Sequence, residues 1–560
     1  MEYGALVELY AELEATDADT KLVERIATAL EAADPNVLPT LVTLLQGRPF
    51  VAWDDRDLGV SSSLTRTAVA KATGQPEDRI EDWWRETGDL GSAAALAVEH
   101  ERQQTLFGQS LTVERVQETL EAIASYEGRG SQDRKIDAIA GLLSDADPKT
   151  AKYLVRTVLG HLRIGVGEGT IRDAIATAFL SGQEADRNAV ERGYQVTNDY
   201  RVVAETARTE GREGLDELEV KVGRPIDVML AEKVESIERG VDHVAETPAD
   251  VIAEYKYDGV RAQIHLDGSD VQVFTRRLTD VTEQFPDVVA AVEGGIDADR
   301  AILEGEIVGY DPETGAMLPF QTLSKRIKRK YDIEEAVEEI PVTLELFDAM
   351  FIGKSLLDRP LGERLVALES VLSESTNAIE RAENRRSGDP VELEPFYKRA
   401  LEAGQEGLML KNAAATYQPG TRVGYMVKVK PTLETLDLAV VRATYSEGRR
   451  SNQLGRLYLG CRDEASGEFL EIGRLSTGFT DEELATVTER LEPLIVETDG
   501  RDVTLEPDLV LEVEFEELQQ SPEYGSGYAL RFPRFVDFRD DLSLEDVDTR
   551  SRVETLAESQ

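Results

Sequence analysis

The hydrophobic period changes along this chain of 560 residues, and the change limits the folds open to it. Up to about residue 218, stretches such as "LVERIATALEAA", "LTVERVQETLEAIASY" and "RKIDAIAGLLSDA" carry apolar residues at i, i+3, i+4 and i+7. That spacing lays an apolar stripe along a helix, and strand-like alternation is absent there. From about 251 short runs take over: "VIAEYKY", "VRAQIHL", "VQVFTR", "AILEGEIVGY" and "PVTLELFDAMF". Helical periods return at 283–293 and 361–373. Beyond Lys430 the runs are again short and strand-like: "LDLAVVRATY", "RLYLGCRD", "LVLEVEFEEL", "YALRFPRFVDF". A helix period does not sit still as a strand, so a single uniform architecture is excluded.

These shifts predict a multidomain chain: an all-α domain at 1–218, an α+β domain at 219–430 and a β-barrel domain at 431–560, for which an OB-fold is the first expectation. "VKVGRPIDVMLAEKV", near 219–250, has the Gly and Pro of a linker, and the polar stretch 375–390 reads as a loop. The tail "LSLEDVDTRSRVETLAESQ" reads as a terminal helix or a frayed end. Within "HLRIGVGEGTIRDAIATAFL", Gly165, Gly167 and Gly169 precede Thr170, a suitable N-cap. Such a turn either joins two helices or offers bare N–H groups to phosphate.

A formal net charge of −47 taken alone argues against a polyanionic partner. The balance of cations changes that reading. There are 46 arginines and 16 lysines, and no lysine follows Lys430. An acidic surplus with scarce lysine, in a chain that is 41% hydrophobic, reads as adaptation to very high salt rather than as disorder. At ~1 M salt the Debye length is about 3 Å, so local patches choose partners. The acidic, amphipathic start "MEYGALVELYAELEA" is no signal peptide, and no run approaches a membrane span. A cytoplasmic monomer without a membrane partner is expected. One cysteine, Cys461, allows neither a disulfide framework nor a Cys-rich zinc site, and four histidines make a His metal site a poor candidate.

Where lysine is scarce, a lysine inside a motif needs a reason, and losing a proton to attack is something arginine cannot do. Lys256 lies in "AEYKYDGVRAQIHL", with Glu254 before it and Asp258, Gly259 and Arg261 after it. Arg276 follows in "FTRRLTDVTEQFP", Glu304 and Glu306 in "ILEGEIVGY", and Phe347 and Asp348 in "LELFDAM". "EGLMLK" holds Glu406 and Lys411, "YQPGTRVGYMVKVK" holds Arg422, Lys428 and Lys430, and "ALRFPRF" holds Arg531 and Arg534. At i and i+2 on a strand, Glu304 and Glu306 share a face.

In this order the motifs resemble those of the ATP-dependent DNA ligases of the archaeal and eukaryotic type, covalent nucleotidyltransferases, over nearly the whole chain. The resemblance implies a helical DNA-binding domain, an adenylation domain and an OB-fold domain, acting on nicked double-stranded DNA with ATP and Mg²⁺ or another divalent cation. It implies that Lys256 attacks the α-phosphate of ATP and carries AMP, which passes to a DNA 5′-phosphate and leaves when the 3′-hydroxyl attacks. Glu254 would accept from the adenine edge or hold the strand, and Phe347 would stack on adenine. Glu306 would touch ribose or metal, and Glu406 the metal. Arg276 and Arg422 would bind ribose or phosphates, Lys428 the α-phosphate, and Arg531 or Arg534 pyrophosphate. Asp258, Lys411 and Lys430 complete the matching positions. The attacking amine must be neutral while free lysine titrates near ~10.4, so cationic neighbours are expected, with Arg261 and Lys428 as candidates. Met426 stands where the family usually has Trp, which suits packing better than stacking.

Three rivals share parts of this pattern. A capping-type enzyme or RNA ligase has no need of the helical domain, and an NAD-dependent DNA ligase is expected to carry a Cys₄ zinc site. A non-catalytic DNA-binding scaffold would show a broken nucleophile motif. The run "SKRIKRKYD", with Lys325, Arg326, Lys328, Arg329 and Lys330, predicts a contact to DNA phosphates against a solvated loop. In "ERQQTLFGQS", Gln103, Leu106 and Phe107 resemble the short peptide by which DNA-processing enzymes dock on a sliding clamp; packing onto their own domain is the alternative. Changing both Leu106→Ala and Phe107→Ala should leave melting temperature and AMP capture unchanged and remove stimulation by the clamp. A melting temperature lowered by many degrees would mark the two as core residues.

Overall fold

The structure is a computed structural model, and it describes residues 1–54, 56–100, 110–245, 247–327, 329, 331–373, 378–420, 424–431, 435–446 and 453–559. Gln103, Leu106, Phe107, Lys328, Lys330 and Arg422 lie outside the described residues. The chain forms two compact units, Met1–Ile80 with Ala94–Pro431, and Glu81–Ala93 with Thr432–Gln560.

Among the described residues, helices alone run from Tyr3–Glu14 to Gly211–Asp216. The helix Val113–Ala124 shows why. It buries Val113, Val116, Leu120 and Ile123 on one stripe, and the Thr112 hydroxyl accepts from the Arg115 N–H at its start. A cap of that kind contributes about 1 kcal/mol. The glycine-rich turn differs from its reading. Helix α1 (Glu168–Phe179) is capped by Gly167, and Thr170 is its third residue, whose hydroxyl accepts from the Gly167 N–H at 3.5 Å. Helix α2 (Glu184–Thr197) follows it.

Two sheets build the central segment. In the five-stranded sheet, β1 (Val251–Tyr255) lies between Asn384–Arg386 and β5 (Leu408–Asn412), followed by β6 (Met426–Val429) and Glu232–Val234. In the other, β2 (Val260–Asp267) lies between Asp270–Thr275 and β3 (Arg300–Tyr310), which pairs with β4 (Val342–Ile352). Alternation sorts the side chains. Val251, Ala253, Leu408, Leu410, Val427 and Val429 face one way into a core with Leu393 and Phe396. Val260, Ala262, Ile264, Leu303 and Ile307 fill a second core. What remains between the cores is the polar set Glu254, Arg261, Gln263, His265, Glu304 and Glu306.

The stretch 219–250 is more ordered than a linker. It carries Glu232–Val234 and a helix, Ile237–Val244. The Gly223 N–H donates to His265 Nδ1 at 2.9 Å, and Ile226 exchanges two bonds of 3.0 Å with the Gln263 amide. Burial pushes His265 down to about 3, which keeps its ring neutral and able to accept. Residues 375–390 likewise hold two short strands, Ile379–Arg381 and Asn384–Arg386. The latter pairs with β1, so its register is set by a partner distant in sequence.

Within the basic run, Arg326 is a correction. Lys325 and Arg326 end a helix, Phe320–Ile327. Arg326 is fully buried, with its Nη1 2.9 Å from Asp287 Oδ2 and 2.9 Å from the Ile340 carbonyl. Arg329 pairs with Glu335 and Glu339. A guanidinium inside the fold cannot meet phosphate, and the cation spacing alone did not show which member turns inward. In the second unit, Thr435–Tyr445 pairs with Leu454–Arg462, Asp502–Leu505 and Val510–Glu514 around Leu436, Leu438, Leu459, Ile472 and Val513. The tail ends in a helix, Arg550–Ser559, and Asp481–Leu491 is a helix that the strand-like pattern hid. Among the described residues, no helix is long and apolar enough to cross a membrane.

Truncating one partner of a buried pair leaves the other charge uncompensated. Arg326→Met should lower unfolding free energy by about 3 kcal/mol. The salt dependence of nick binding should stay that of the parent. A flattened salt slope at unchanged stability would return Arg326 to the DNA-contact reading.

Candidate active site

Lys256 sits where β1 leaves one sheet and the chain enters β2 of the other. Two backbone bonds fix it: the Lys256 N–H donates to the Gly407 carbonyl at 2.9 Å, and the Glu406 N–H donates to the Lys256 carbonyl at 2.8 Å. This close approach explains the motif glycines. A Cβ on Gly407, whose φ is +135°, would collide with the Val429 carbonyl, and one on Gly259 with the Ile307 carbonyl. Asp258 Oδ2 accepts from the Phe320 N–H at 3.1 Å, so the motif aspartate organises a helix start.

The expected cations around the lysine are arranged otherwise. Lys256 Nζ pairs with the Glu406 carboxylate, and Lys430 Nζ stands 3.0 Å from the same carboxylate. Arg261 turns to Glu304, at 3.0 Å from each oxygen, and to the Met229 carbonyl at 2.7 Å. The Tyr417 hydroxyl donates to Glu304 at 2.9 Å. Burial would raise Glu406, but Lys256 and Lys430 outweigh it and hold the carboxyl at about 2. Burial pushes Glu306 up to about 7, against the opposing pull of Lys256 and Arg261.

Glu254, Met409 and Lys428 are in register across β1, β5 and β6, so one face carries all three. Glu254 is buried and pairs with Lys411, while its Oε1 is buried without a hydrogen-bond partner. Burial raises this carboxyl. Phe347 has no cross-strand partner on β3, because Glu304 pairs with Asp348 and Gly305 with Leu346. A bulge of this kind re-aims a side chain, and here the ring meets Lys411 at 4.5 Å and Arg261 at 5.5 Å from its centroid. Next to it, Asp348 is locked by Arg364 at 2.7 and 2.9 Å, both residues buried. Met426 is buried with Met229, Met350 and Tyr417, as packing requires. Arg276 lies exposed in the turn after Asp270–Thr275. In the second unit Arg531 pairs with Glu517 at 3.0 Å, and Arg534 begins the strand Arg534–Phe538.

Motif reading missed Tyr417, Arg364 and Phe532. The first two carry no local signal, since their partners are remote in sequence. Phe532 is 61% exposed with φ +49°, a strained backbone for an aromatic residue.

Three family models match the chain: "DNA ligase N terminus" over residues 2–176, "ATP dependent DNA ligase domain" over 228–430 and "ATP dependent DNA ligase C terminal region" over 450–542. A DNA ligase of Thermococcus fumicolans is 43% identical over 557 residues, covering 99% of this chain and 98% of that protein. A DNA ligase of Natronomonas pharaonis is 42% identical over 565 residues, covering 99% and 100%. The solved structure Pmar-Lig_Pre is similar in fold, with a TM-score of 0.60 at 17% identity, over 95% of this chain and 99% of that one.

Glu306 sits near 7 in the folded chain and at its ordinary 4.5 when unfolded, so the folded chain holds the proton between those values. The stability this contributes is full below pH 4.5 and is lost as pH rises through 7. Glu406 acts oppositely, its contribution present above pH 4.5 and lost as pH falls through about 2. Glu306→Gln mimics the protonated acid. Without nucleotide or divalent cation, the variant should gain about 2 kcal/mol over the parent between pH 5 and 8. Parallel unfolding curves across that range would reject the buried acid.

Proposed function

The chain belongs to the ATP-dependent DNA ligases, and from that membership we propose that it seals nicks in duplex DNA through Lys256. The neutral amine of Lys256 attacks the α-phosphorus of ATP. An N–P bond forms, the bond to pyrophosphate breaks, and the amine proton is lost. A DNA 5′-phosphate oxygen then takes the adenylyl group from the lysine, and the 3′-hydroxyl attacks that phosphate and expels AMP. The observation that carries this reading is Lys256 at the junction of two sheets, tied by backbone to Glu406 and Gly407, with Lys430 on the same carboxylate.

Positioning and charge neutralisation do most of the work in phosphoryl transfer. The unpartnered Glu254 oxygen suits an adenine amino group, and Phe347 offers a ring face for stacking. Arg261, held by the Met229 carbonyl and by Glu304, which Tyr417 fixes in turn, is fit to bind the ribose or phosphates without swinging away. Lys428 and Lys430 take the α-phosphate side, with Arg276 and Arg422 for ribose or phosphates. Arg531 and Arg534 belong to the domain that we read as an OB-fold, and we assign them to pyrophosphate. We draw the domains at 1–218, 219–430 and 431–560.

Enzymes of this family use ATP and a divalent metal ion. Among the described residues no three His, Cys, Asp or Glu side chains gather as a metal cluster. Glu306 and Glu406 offer hard carboxylate oxygens, and magnesium is commonly bound by one or two carboxylates with phosphates and water completing its shell. The two residues fit that pattern and would hold it. When bound, it supplies neutralisation of phosphate charge.

Lys256→Arg keeps charge and reach but removes the nucleophile. With α-labelled ATP, label on the protein should fall at least 1,000-fold, while DNA already adenylylated at its 5′ end is still sealed. Labelling at the parent level would overturn the assignment.

A further inference from the structure

Two short strands that pair with different sheets are joined only by Ala382 and Glu383. Ile379–Arg381 pairs with β4 and Asn384–Arg386 with β1, so this segment ties the sheet that carries Phe347 to the sheet that ends at Lys256. Backbone bonds hold the joint on both sides. The Ala382 N–H donates to the Leu346 carbonyl at 2.8 Å, and the Tyr255 N–H donates to the Glu383 carbonyl at 3.1 Å. The Glu383 N–H meets a side chain instead: it donates to the Tyr257 hydroxyl at 2.9 Å. Glu383 thus holds the residues on either side of Lys256, Tyr255 by its carbonyl and Tyr257 by its N–H.

Tyr257 is the variable letter of "KYDG". It is buried, in a cluster with Val308 and Ala382 against which Phe347 packs. A phenol has one proton to give. With the Glu383 N–H on its acceptor side, that proton turns to the Glu345 side chain, the other hydrogen-bond partner of the hydroxyl. Glu345 is buried as well, in register between Glu306 and Glu380 on the strands to either side. A buried carboxyl flanked by carboxyls needs a donor, and Tyr257 supplies one. The phenol therefore joins the residue after the nucleophile, the link between the sheets and the packing beneath the Phe347 ring.

We propose that Tyr257 is a positioning residue, whose hydroxyl, held between the Glu383 N–H and the Glu345 carboxyl, keeps the Lys256 amine and the Phe347 ring in one fixed relation. The inference rests on the reading of Lys256 as nucleophile and Phe347 as the ring that stacks on adenine. Tyr257 acts through those two residues and not on the reacting atoms. Its effect belongs to the alignment of amine and α-phosphorus, where a displacement of about 1 Å can cost about 100-fold in rate.

The test is single-turnover AMP capture from α-labelled ATP by the full-length chain with Mg²⁺, across ATP concentrations, normalised to folded protein. Tyr257→Phe keeps the ring and its packing but loses the hydroxyl. Its maximal rate should fall about 30-fold, with half-saturating ATP within about twofold of the parent. Glu345→Met removes the acceptor and should slow capture by a similar factor. Glu345→Gln keeps an acceptor oxygen and should restore most of the rate. The double change Tyr257→Phe with Glu345→Met should be no slower than the slower single one, because both break one hydrogen bond. A parent rate in Tyr257→Phe, a change confined to half-saturating ATP, or Glu345→Gln as slow as Glu345→Met would each overturn the inference. Label on Lys256→Arg at the parent level would instead sink the nucleophile reading, so the two failures are told apart.

Discussion

One carboxylate, Glu406, lies between two ammonium groups, Lys256 and Lys430, and the arrangement of the site depends on that contact. Two lysines on adjoining segments would repel one another in a partly buried place. The anion removes that cost, and its own charge is kept by the two cations, which outweigh burial. The contact is possible because the backbones of Lys256 and Glu406–Gly407 are bonded to each other, and because Gly407 has no side chain to push Val429 away.

The rest of the pocket repeats this solution. Glu254 is matched with Lys411, Glu304 with Arg261, and Asp348 with Arg364. Buried charges are tolerated where they are paired and hydrogen-bonded, and such pairs hold geometry more than they add stability. Glu306, with two carboxylates acting on it besides burial, rises to about 7. A site that binds polyphosphate and a cation needs groups of this kind, held in place yet open to a change of partner.

Much of this was legible in local pattern. The polar residues of "VIAEYKY", "LMLKN" and "MVKVK" fall at strand period, which already placed Glu254, Lys411 and Lys428 opposite an apolar face. Glu304 and Glu306 share a face for the same reason. The period also separated the helical segment from the strand-bearing ones. It failed where partners are remote: Asn384–Arg386 is a strand because β1 accepts it, and Arg326 is buried because Asp287 and the Ile340 carbonyl receive it. A run of cations has the same spelling whether it meets solvent, nucleic acid or its own core.

The sequence by itself determined the kinds of element, the apolar and polar faces, and the order of the reactive side chains, because those follow from residue type and spacing along one strand or helix. Tertiary structure alone decided which charges meet. Arg261 is taken up by Glu304, Phe347 is aimed at a bulge toward Lys411 and Arg261, and Tyr417 reached Glu304 across 113 positions. Electrostatic pairing and ring placement depend on distances of a few ångströms between segments far apart in the chain, and no local period encodes those distances.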